Sequence, residues 1–131
     1  MDLPHEAVLL RIFTGISDRW HMGPLYLAIV EKARAEHLAG ATVLRGTIGF
    51  GQSGRLHQET ALPLHPDQPV VVEIVDTEEK INAFLPVLDA MMESGLVTIE
   101  KASVLQYGRQ RTGLFTRLKQ GLGYEHRAAR H

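Results

Sequence analysis

One segment of the chain has residues suited to binding an anion. Glycines fit that role because they let backbone N–H groups approach a ligand closely, and guanidinium groups can contact two phosphate oxygens at once. The segment contains Arg45, Gly46, Gly49, Phe50, Gly51, Gln52, Ser53, Gly54, Arg55 and His57. Its spacing matches neither a P-loop nor a dinucleotide-binding fingerprint. The composition therefore predicts either an anion-binding loop or a flexible hairpin, and both interpretations stay open.

A second short loop carries Asp18, Arg19, Trp20 and His21. His21 beside Asp18 could act as a general base, which would make the protein a small hydrolase or phosphatase that uses Arg19 and His21. A structural histidine is the commoner alternative. Trp20, the only tryptophan, could stack on a base, but we favour a role in filling the core between the sheet and the first helix.

We expect no metal site. The chain has no cysteine, which excludes disulfides, iron–sulfur clusters, thiolate zinc sites and thiol nucleophiles. His21 and His57 could ligate a metal only with a third and a fourth ligand, and no spacing in the sequence supplies them.

The net charge of −1 conceals two oppositely charged parts. Residues 108–131 contain six basic residues and one acidic residue, whereas residues 1–107 contain eight basic and fourteen acidic residues. This division predicts a packed domain over 1–107 and a basic C-terminal extension over 108–131. An acidic body with few aromatic residues argues against a nucleic-acid partner.

The C-terminal extension has the pattern of a short amphipathic helix. Leu114, Leu118 and Leu122 are spaced four apart, with Arg117 and Lys119 off that stripe. Such a helix could bind a membrane surface or a partner's groove, or pack on the protein's own oligomer. An adaptor that docks through its basic tail is accordingly an alternative function.

Hydrophobic periodicity predicts the order strand, helix, strand, strand, helix, strand in a single domain. The strands are expected at residues 6–14, 41–50, 70–75 and 97–107, and the helices at 24–37 and 78–94. A further short strand is possible at 59–64, and the glycines of the second strand indicate a bend or a close backbone approach.

Two strand–helix–strand units of this kind form the α+β, ferredoxin-like βαββαβ fold, a four-stranded antiparallel sheet with two helices on one face. The first and third strands are apolar on both faces. We therefore expect the second face to be buried against other copies in a homo-oligomer. The N-terminal residues do not resemble a signal peptide and no apolar run reaches about 20 residues, so a cytoplasmic location is expected.

Several of these segments resemble a known family. Residues 40–43, 49–52 and 72–75 resemble the second and third strands of PII signal-transduction proteins. Residues 17–26, 45–51 with His57, and 73–84 are similar to a small uncharacterised PII-like family often encoded beside fluoride channels. The resemblance extends over residues 9–107.

The resemblance implies a homotrimeric sensor without catalytic turnover. Its clefts between subunits would bind an adenine nucleotide, and a long loop after the second strand would report occupancy to a membrane transporter or enzyme. By position, Gly49, Phe50, Gly51 and Gln52 match the base of that loop. Arg109 and Arg111 fall where PII proteins place arginines that contact phosphate. Arg45 belongs to the same predicted nucleotide site.

This sequence departs from the PII pattern in one respect that bears on the ligand. PII proteins have a glycine-rich phosphate loop between the second helix and the last strand, whereas here Glu93, Ser94, Gly95 and Leu96 lead directly into Val97. A triphosphate would lose part of its binding site, so AMP or ADP is favoured over ATP. The signalling loop is also shorter, and Arg19 and His21 could replace some of the missing contacts.

Overall fold

Four strands form one antiparallel sheet, and two helices pack on one of its faces. The computed structural model describes residues 6–51, 57–58 and 68–111. In chain order the elements are β1 (Glu6–Gly15), α1 (Leu25–Ala35), β2 (Thr42–Arg45), β3 (Pro69–Asp76), α2 (Glu78–Met91) and β4 (Leu96–Ser103). The strand order in the sheet is β2-β3-β1-β4, so the predicted ferredoxin-like fold is confirmed.

The core lies between the helices and the two central strands. Leu10 and Ile12 of β1 are paired in register with Ile74 and Val72 of β3, and all four side chains are buried. Each helix contributes an apolar stripe to this layer: Leu25, Ile29 and Ala33 from α1, and Ile81, Phe84, Leu88 and Met91 from α2. The spacing of these residues by three or four places them on one side of each helix.

Helix α2 begins at the predicted position. The hydroxyl of Thr77 accepts a hydrogen bond from the backbone N–H of Lys80 at 3.1 Å, and Glu78 and Glu79 occupy the first turn. The side-chain cap satisfies one of the free N–H groups, and the acidic residues complement the helix dipole. Both helices end earlier than predicted, α1 at Ala35 and α2 at Met91.

The end of α2 follows from the backbone after it. Met92 is extended, and Gly95 has a φ of +126°, a conformation that favours glycine. A Cβ atom at Gly95 would lie 2.8 Å from the carbonyl oxygen of Phe13, so this turn passes too close to β1 for any side chain.

The second strand is shorter than predicted, because it ends at Arg45, just before Gly46. The N–H of Gly46 donates to the carbonyl of Pro69 at 2.8 Å, and a Cβ atom at this position would lie 2.7 Å from Cγ of Pro69. The close approach that the glycines indicated is therefore present at Gly46. Beyond it, Ile48–Gly49 pairs with His57–Gln58, while the strand considered at 59–64 lies outside the described residues.

The last strand also ends early, at Ser103. The chain leaves the sheet at Val104, and Gln106–Tyr107 then forms a small antiparallel pair with Gln110–Arg111. Two histidines have left-handed backbone conformations, His21 with φ of 55° and His37 with φ of 60°.

Three side chains from separate elements bind the backbone that connects α1 to β2. Asp76 accepts a hydrogen bond from the N–H of Ala39 at 2.8 Å, and the hydroxyl of Tyr107 donates to the carbonyl of Ala39 at 2.6 Å. Lys80 donates to the carbonyl of His37 at 2.7 Å. The segment before β2 is thus held in position by β3, α2 and the chain after β4.

Neither of the two helices in the described part of the chain combines the length and the apolar character that crossing a bilayer requires.

Replacement of Asp76 by asparagine should destabilise the fold. The Asp76 carboxylate is fully buried, and its two oxygens accept from the backbone N–H groups of Ala39 and Thr77. An amide NH₂ would face one of these donors, which should lower the free energy of unfolding by about 1–3 kcal/mol. Urea unfolding measures the change. The exposed Asp89 is the control, because Asp89→Asn should change stability by less than about 0.5 kcal/mol. Equal unfolding midpoints for the two variants would contradict the role of Asp76.

Candidate functional site

The sheet face opposite the helices, here called the open face, is covered by no helix in the described residues. Its side chains come from alternate positions of all four strands. The register places Leu44, Val71, Phe13 and Leu96 in one row across the sheet. Leu44 and Leu96 are 47% and 56% exposed. An apolar row of this kind is typical of a surface that a second protein surface covers.

A charged row lies next to the apolar one. Arg11 is positioned between Glu73 of β3 and Glu100 of β4 and forms ion pairs with both carboxylates. Its Nε lies 2.8 Å from Oε2 of Glu73. The hydrogen bond to Glu73 raises the pKa of Arg11 above its ordinary value, and the charge of Glu100 adds to the effect. The charge of Arg11 is thus neutralised by two carboxylates of the same chain.

A cavity of about 660 Å³ lies at one end of the open face. Its walls are the start of β2 with the residues before it (39–42), Glu73 and Val75 of β3, Leu9 of β1, and the segment 102–107. We call it the β2 cavity. Its lining is mainly apolar, with a few polar groups from Thr42, Glu73 and Tyr107, a combination typical of small-molecule sites.

Tyr107 forms the side of the β2 cavity that sequence patterns could not reveal. The chain after β4 crosses from the β4 side of the sheet to the start of β2, where Tyr107 bonds to Ala39. Hydrophobic periodicity predicted Tyr107 as part of the last strand and gave no indication that Thr42, Glu73 or Tyr107 line a site. In the sequence these three residues are distinguished only as polar residues within predicted strands. The contact between Tyr107 and Ala39 spans 68 positions and therefore leaves no local pattern in the sequence.

The predicted nucleotide residues fall at the two ends of β2. Arg45 ends the strand, and its guanidinium donates to the side-chain oxygen of Gln68, a buried residue. The side-chain amide of Gln68 also donates to the backbone carbonyl of Gly46 at 3.1 Å. The backbone carbonyl of Gln68 accepts from the N–H of Ile16 at 2.7 Å. Hydrogen bonds to Gln68 therefore hold Arg45 and Gly46 in place where the chain leaves β2.

The remaining predicted residues near this loop are only partly described. Gly49 pairs with His57, and Phe50 is 71% exposed. Gln52 and Arg55 lie outside the described residues, as does the side chain of His57.

The predicted phosphate-binding arginines lie at the opposite end of β2, beside the β2 cavity. Arg109 is exposed and follows Gly108, which has a φ of 60°. Arg111 pairs through its backbone with Gln106, while its side chain lies outside the description.

The loop after β1 is an ordered hairpin in which Arg19–Trp20 pairs with Gly23–Pro24. Trp20 packs against the core, as predicted, with Nζ of Lys32 5.6 Å from the centroid of its ring. Asp18 accepts a hydrogen bond from the N–H of Gly15 at 2.8 Å.

The hydrolase hypothesis pairs His21 with Asp18, and in the structure these two side chains make different contacts. His21 is exposed, and its ring contacts that of Trp20 with 4.0 Å between centroids. In the described region the Asp18 carboxylate closes the turn at Gly15 and does not orient His21. The same region contains no group of three or more histidine, aspartate or glutamate side chains placed to bind a metal ion.

Solved structures with the same fold include regulatory proteins. A nitrogen regulatory PII-like protein from Thiomonas intermedia K12, bound to ADP, AMP and bicarbonate, superposes with a TM-score of 0.52 at 17% identity, over 76% of this chain and 88% of its own. A putative PII-like signaling protein from Thermus thermophilus gives a TM-score of 0.56 at 18% identity, over 79% and 93% of the two chains. Similarity at this level of identity shows a common fold.

Sequence relatives are closer. A UPF0166 protein from Aquifex aeolicus is 38% identical over 97 residues, which is 74% of this chain and 91% of the relative. A UPF0166 protein from Methanocaldococcus jannaschii is 32% identical over 100 residues, or 76% and 92% of the two chains. The DUF190 family model, described as uncharacterized ACR, matches residues 7–104. The chain therefore belongs to the DUF190 family and has a PII-like fold.

Proposed function

We propose that this protein is a PII-like regulatory protein that binds an adenine nucleotide, AMP or ADP, in the β2 cavity and signals its presence to a partner. The observation that carries the proposal is the position of the cavity, at an edge strand of a fold shared with the Thiomonas protein that is bound to ADP and AMP. The partner would be a membrane transporter or an enzyme.

The chemistry of the β2 cavity suits an adenine base. A flat aromatic ring can bury its faces against Leu9 and Val75. β2 forms ladder bonds only to β3 among the described strands, so the backbone groups on its outer side are available to the hydrogen-bonding edge of the ring. The hydroxyl of Thr42 adds a further polar contact at the same edge.

Phosphate groups would extend from the β2 cavity toward arginine side chains. Arg109 follows the cavity residue Tyr107 by two positions, and Arg111 lies in the strand that pairs with Gln106. At the other end of β2, Arg45 and the backbone at Gly49 and Gly51 could contact the phosphates of a nucleotide bound by a neighbouring copy.

The short connection between α2 and β4 supports a mono- or diphosphate ligand. Only Met92, Glu93, Ser94 and Gly95 separate the two elements, and Gly95 passes close to the backbone of β1. This connection leaves no glycine-rich loop to surround a third phosphate.

A homotrimer would complete the site and cover the open face. The row of Leu44, Val71, Phe13 and Leu96 would then be buried against neighbouring sheets, while Arg11 remains neutralised by its two carboxylates. Signalling to the partner would use the segment that contains Gln52, Arg55 and His57.

Calorimetric titration of the full chain with AMP, ADP, ATP and cyclic AMP tests the proposed function. AMP or ADP should bind more tightly than ATP. Gly40→Phe should weaken binding by about tenfold or more, or 1.4 kcal/mol, because Gly40 lines the β2 cavity and a bulky side chain there would compete with the nucleotide for space. A Cβ atom at this position meets no atom within 4 Å, so the fold should tolerate the change. Gly23→Phe is the control, since Gly23 has equally open surroundings outside the cavity. No heat with any of the four nucleotides would refute the proposal.

Removal of the two proposed phosphate-binding arginines should weaken nucleotide binding. Each charge-assisted contact is worth about 1.5–3 kcal/mol, so Arg109→Ala with Arg111→Ala should raise the Kd of ADP by more than about tenfold. The matched control is Arg127→Ala with Arg130→Ala, which removes the same charge farther along the chain. Equal losses in the two double variants would indicate a general charge effect and would contradict specific phosphate contacts.

The proposed homotrimer should have a mass of three chains of 14.6 kDa by light scattering. Leu44→Asp should dissociate this assembly, because it places a carboxylate in the apolar row. Leu27→Asp is the control, since Leu27 on α1 is 45% exposed, close to the 47% of Leu44, but lies on the helical side. A monomeric unsubstituted protein, or dissociation by both variants alike, would contradict the proposed interface.

A further inference from the structure

The two helices do not cover all four strands of the sheet. α1 packs against β3 and α2 packs against β1, while β4 is an edge strand. Val97 and Ile99 of β4 pair with the buried Ile12 and Leu10, so their side chains lie on the helical side of the sheet. They are nevertheless 39% and 48% exposed. We call these two side chains the β4 strip.

A groove borders the β4 strip, here called the β4 groove. It has a volume of about 370 Å³ and lies between the end of α2 and the start of β4. Its apolar lining comes from Leu85, Leu88, Met92 and Val97, and its carboxylates come from Asp89 and Glu93. None of the described residues that line the groove is basic.

The carboxylates lie at a helix end that ordinarily favours cations. The last turn of α1 contains Lys32 and Arg34, whereas the last turn of α2 contains Asp89 and no basic residue. In the described part of the chain, no backbone N–H bonds to the carbonyl of Asp89, Ala90 or Met91. Such free carbonyls carry partial negative charge. A cation bound at the end of α2 would therefore relieve repulsion between its side chains and its backbone.

We propose that the β4 groove and the β4 strip bind a basic amphipathic helix of a partner protein. Its apolar stripe would pack against Leu85, Val97 and Ile99, and its lysine or arginine side chains would pair with Asp89 and Glu93. This surface lies on the opposite side of the sheet from the open face. The proposal adds a contact surface to the function proposed above and does not depend on nucleotide binding.

The position of the β4 strip favours a helix over an added strand. A strand that extended the sheet at β4 would bond to its backbone and would leave the side chains of Val97 and Ile99 uncovered. A helix beside α2 would cover both side chains and complete the layer. A helix of about 18 residues is about 27 Å long, close to the roughly 26 Å of the eight-residue strand β4.

The described part of this chain offers no occupant of this kind. Its two helices expose one large apolar side chain between them, Leu27, so these helices in a second copy would present no apolar stripe. The chain after β4 leads to the start of β2, where Tyr107 bonds to Ala39. A partner fits the acidic groove better, since membrane proteins carry an excess of lysine and arginine beside their spans on the cytoplasmic side.

Fluorescence anisotropy with two labelled peptides tests the proposal on the full chain without nucleotide. One peptide of about 18 residues has a leucine stripe flanked by lysines at helical spacing, and the other has glutamate in place of each lysine. The lysine peptide should bind at least about tenfold more tightly, because it can pair with the carboxylates of the β4 groove. Equal binding of the two peptides, or no binding of the lysine peptide at high micromolar protein, would overturn the proposal.

Charge reversal locates the contact. Asp89→Lys with Glu93→Lys should weaken binding of the lysine peptide by about tenfold or more, because two attractions become repulsions. The free energy of unfolding should not fall, since lysines suit the C-terminal end of α2. The control is Glu31→Lys with Glu36→Lys, the same charge change at exposed positions in α1 and just after it. Equal losses in the two double variants would indicate a general charge effect and would contradict the site.

A neutral substitution tests the apolar part of the surface. Ile99→Asn should weaken binding of the lysine peptide by about threefold or more, because it removes apolar area from the β4 strip without adding a charge. Leu27→Asn is the control, since Leu27 is 45% exposed, close to the 48% of Ile99, but lies on α1. Equal effects of the two substitutions would place the peptide elsewhere and overturn the proposal.

Discussion

Leu10 and Ile12 of β1 pack with Val72 and Ile74 of β3 beneath two amphipathic helices, and the rest of the molecule depends on that contact. Since side chains alternate across a strand, burial of these four residues directs Leu9, Phe13 and Val71 to the open face. The same alternation places Arg11 and Glu73 there side by side. The open face is therefore a direct consequence of the core, and its mixed apolar and charged character follows from residues that the helices cannot reach.

The two ends of the sheet are organised by different polar contacts. At the start of β2, Asp76 and Tyr107 bind the N–H and the carbonyl of Ala39, and this pair of bonds forms one side of the β2 cavity. At the end of β2, the buried side chain of Gln68 joins Arg45 to Gly46. Buried polar groups need such partners, because an unpaired one costs free energy comparable to a lost hydrogen bond. A ligand that contacts both ends of β2 would thus meet two regions that are already held in place.

The two edge strands of the sheet, β2 and β4, border surfaces on which a ligand or another protein surface could bind. β2 borders the β2 cavity, and β4 exposes Val97 and Ile99 on the helical side of the sheet. At β2, a bound nucleotide would complete the backbone hydrogen bonds that this edge of the sheet leaves open.

Sequence patterns determined the fold class, the strand order and the helical stripes, because each depends on local periodicity and on chirality rules that limit the possible topologies. They also indicated the close approach at Gly46 and the position of Trp20, since residue type alone restricts both. Only the tertiary structure decided the early ends of β2 and β4, the β2 cavity and the exposure of Val97 and Ile99 on β4. Tyr107 and Ala39 are 68 residues apart, and Gln68 lies 23 residues from Arg45. Contacts between such distant positions leave no periodic trace in a single sequence, because they arise from the packing of complete elements.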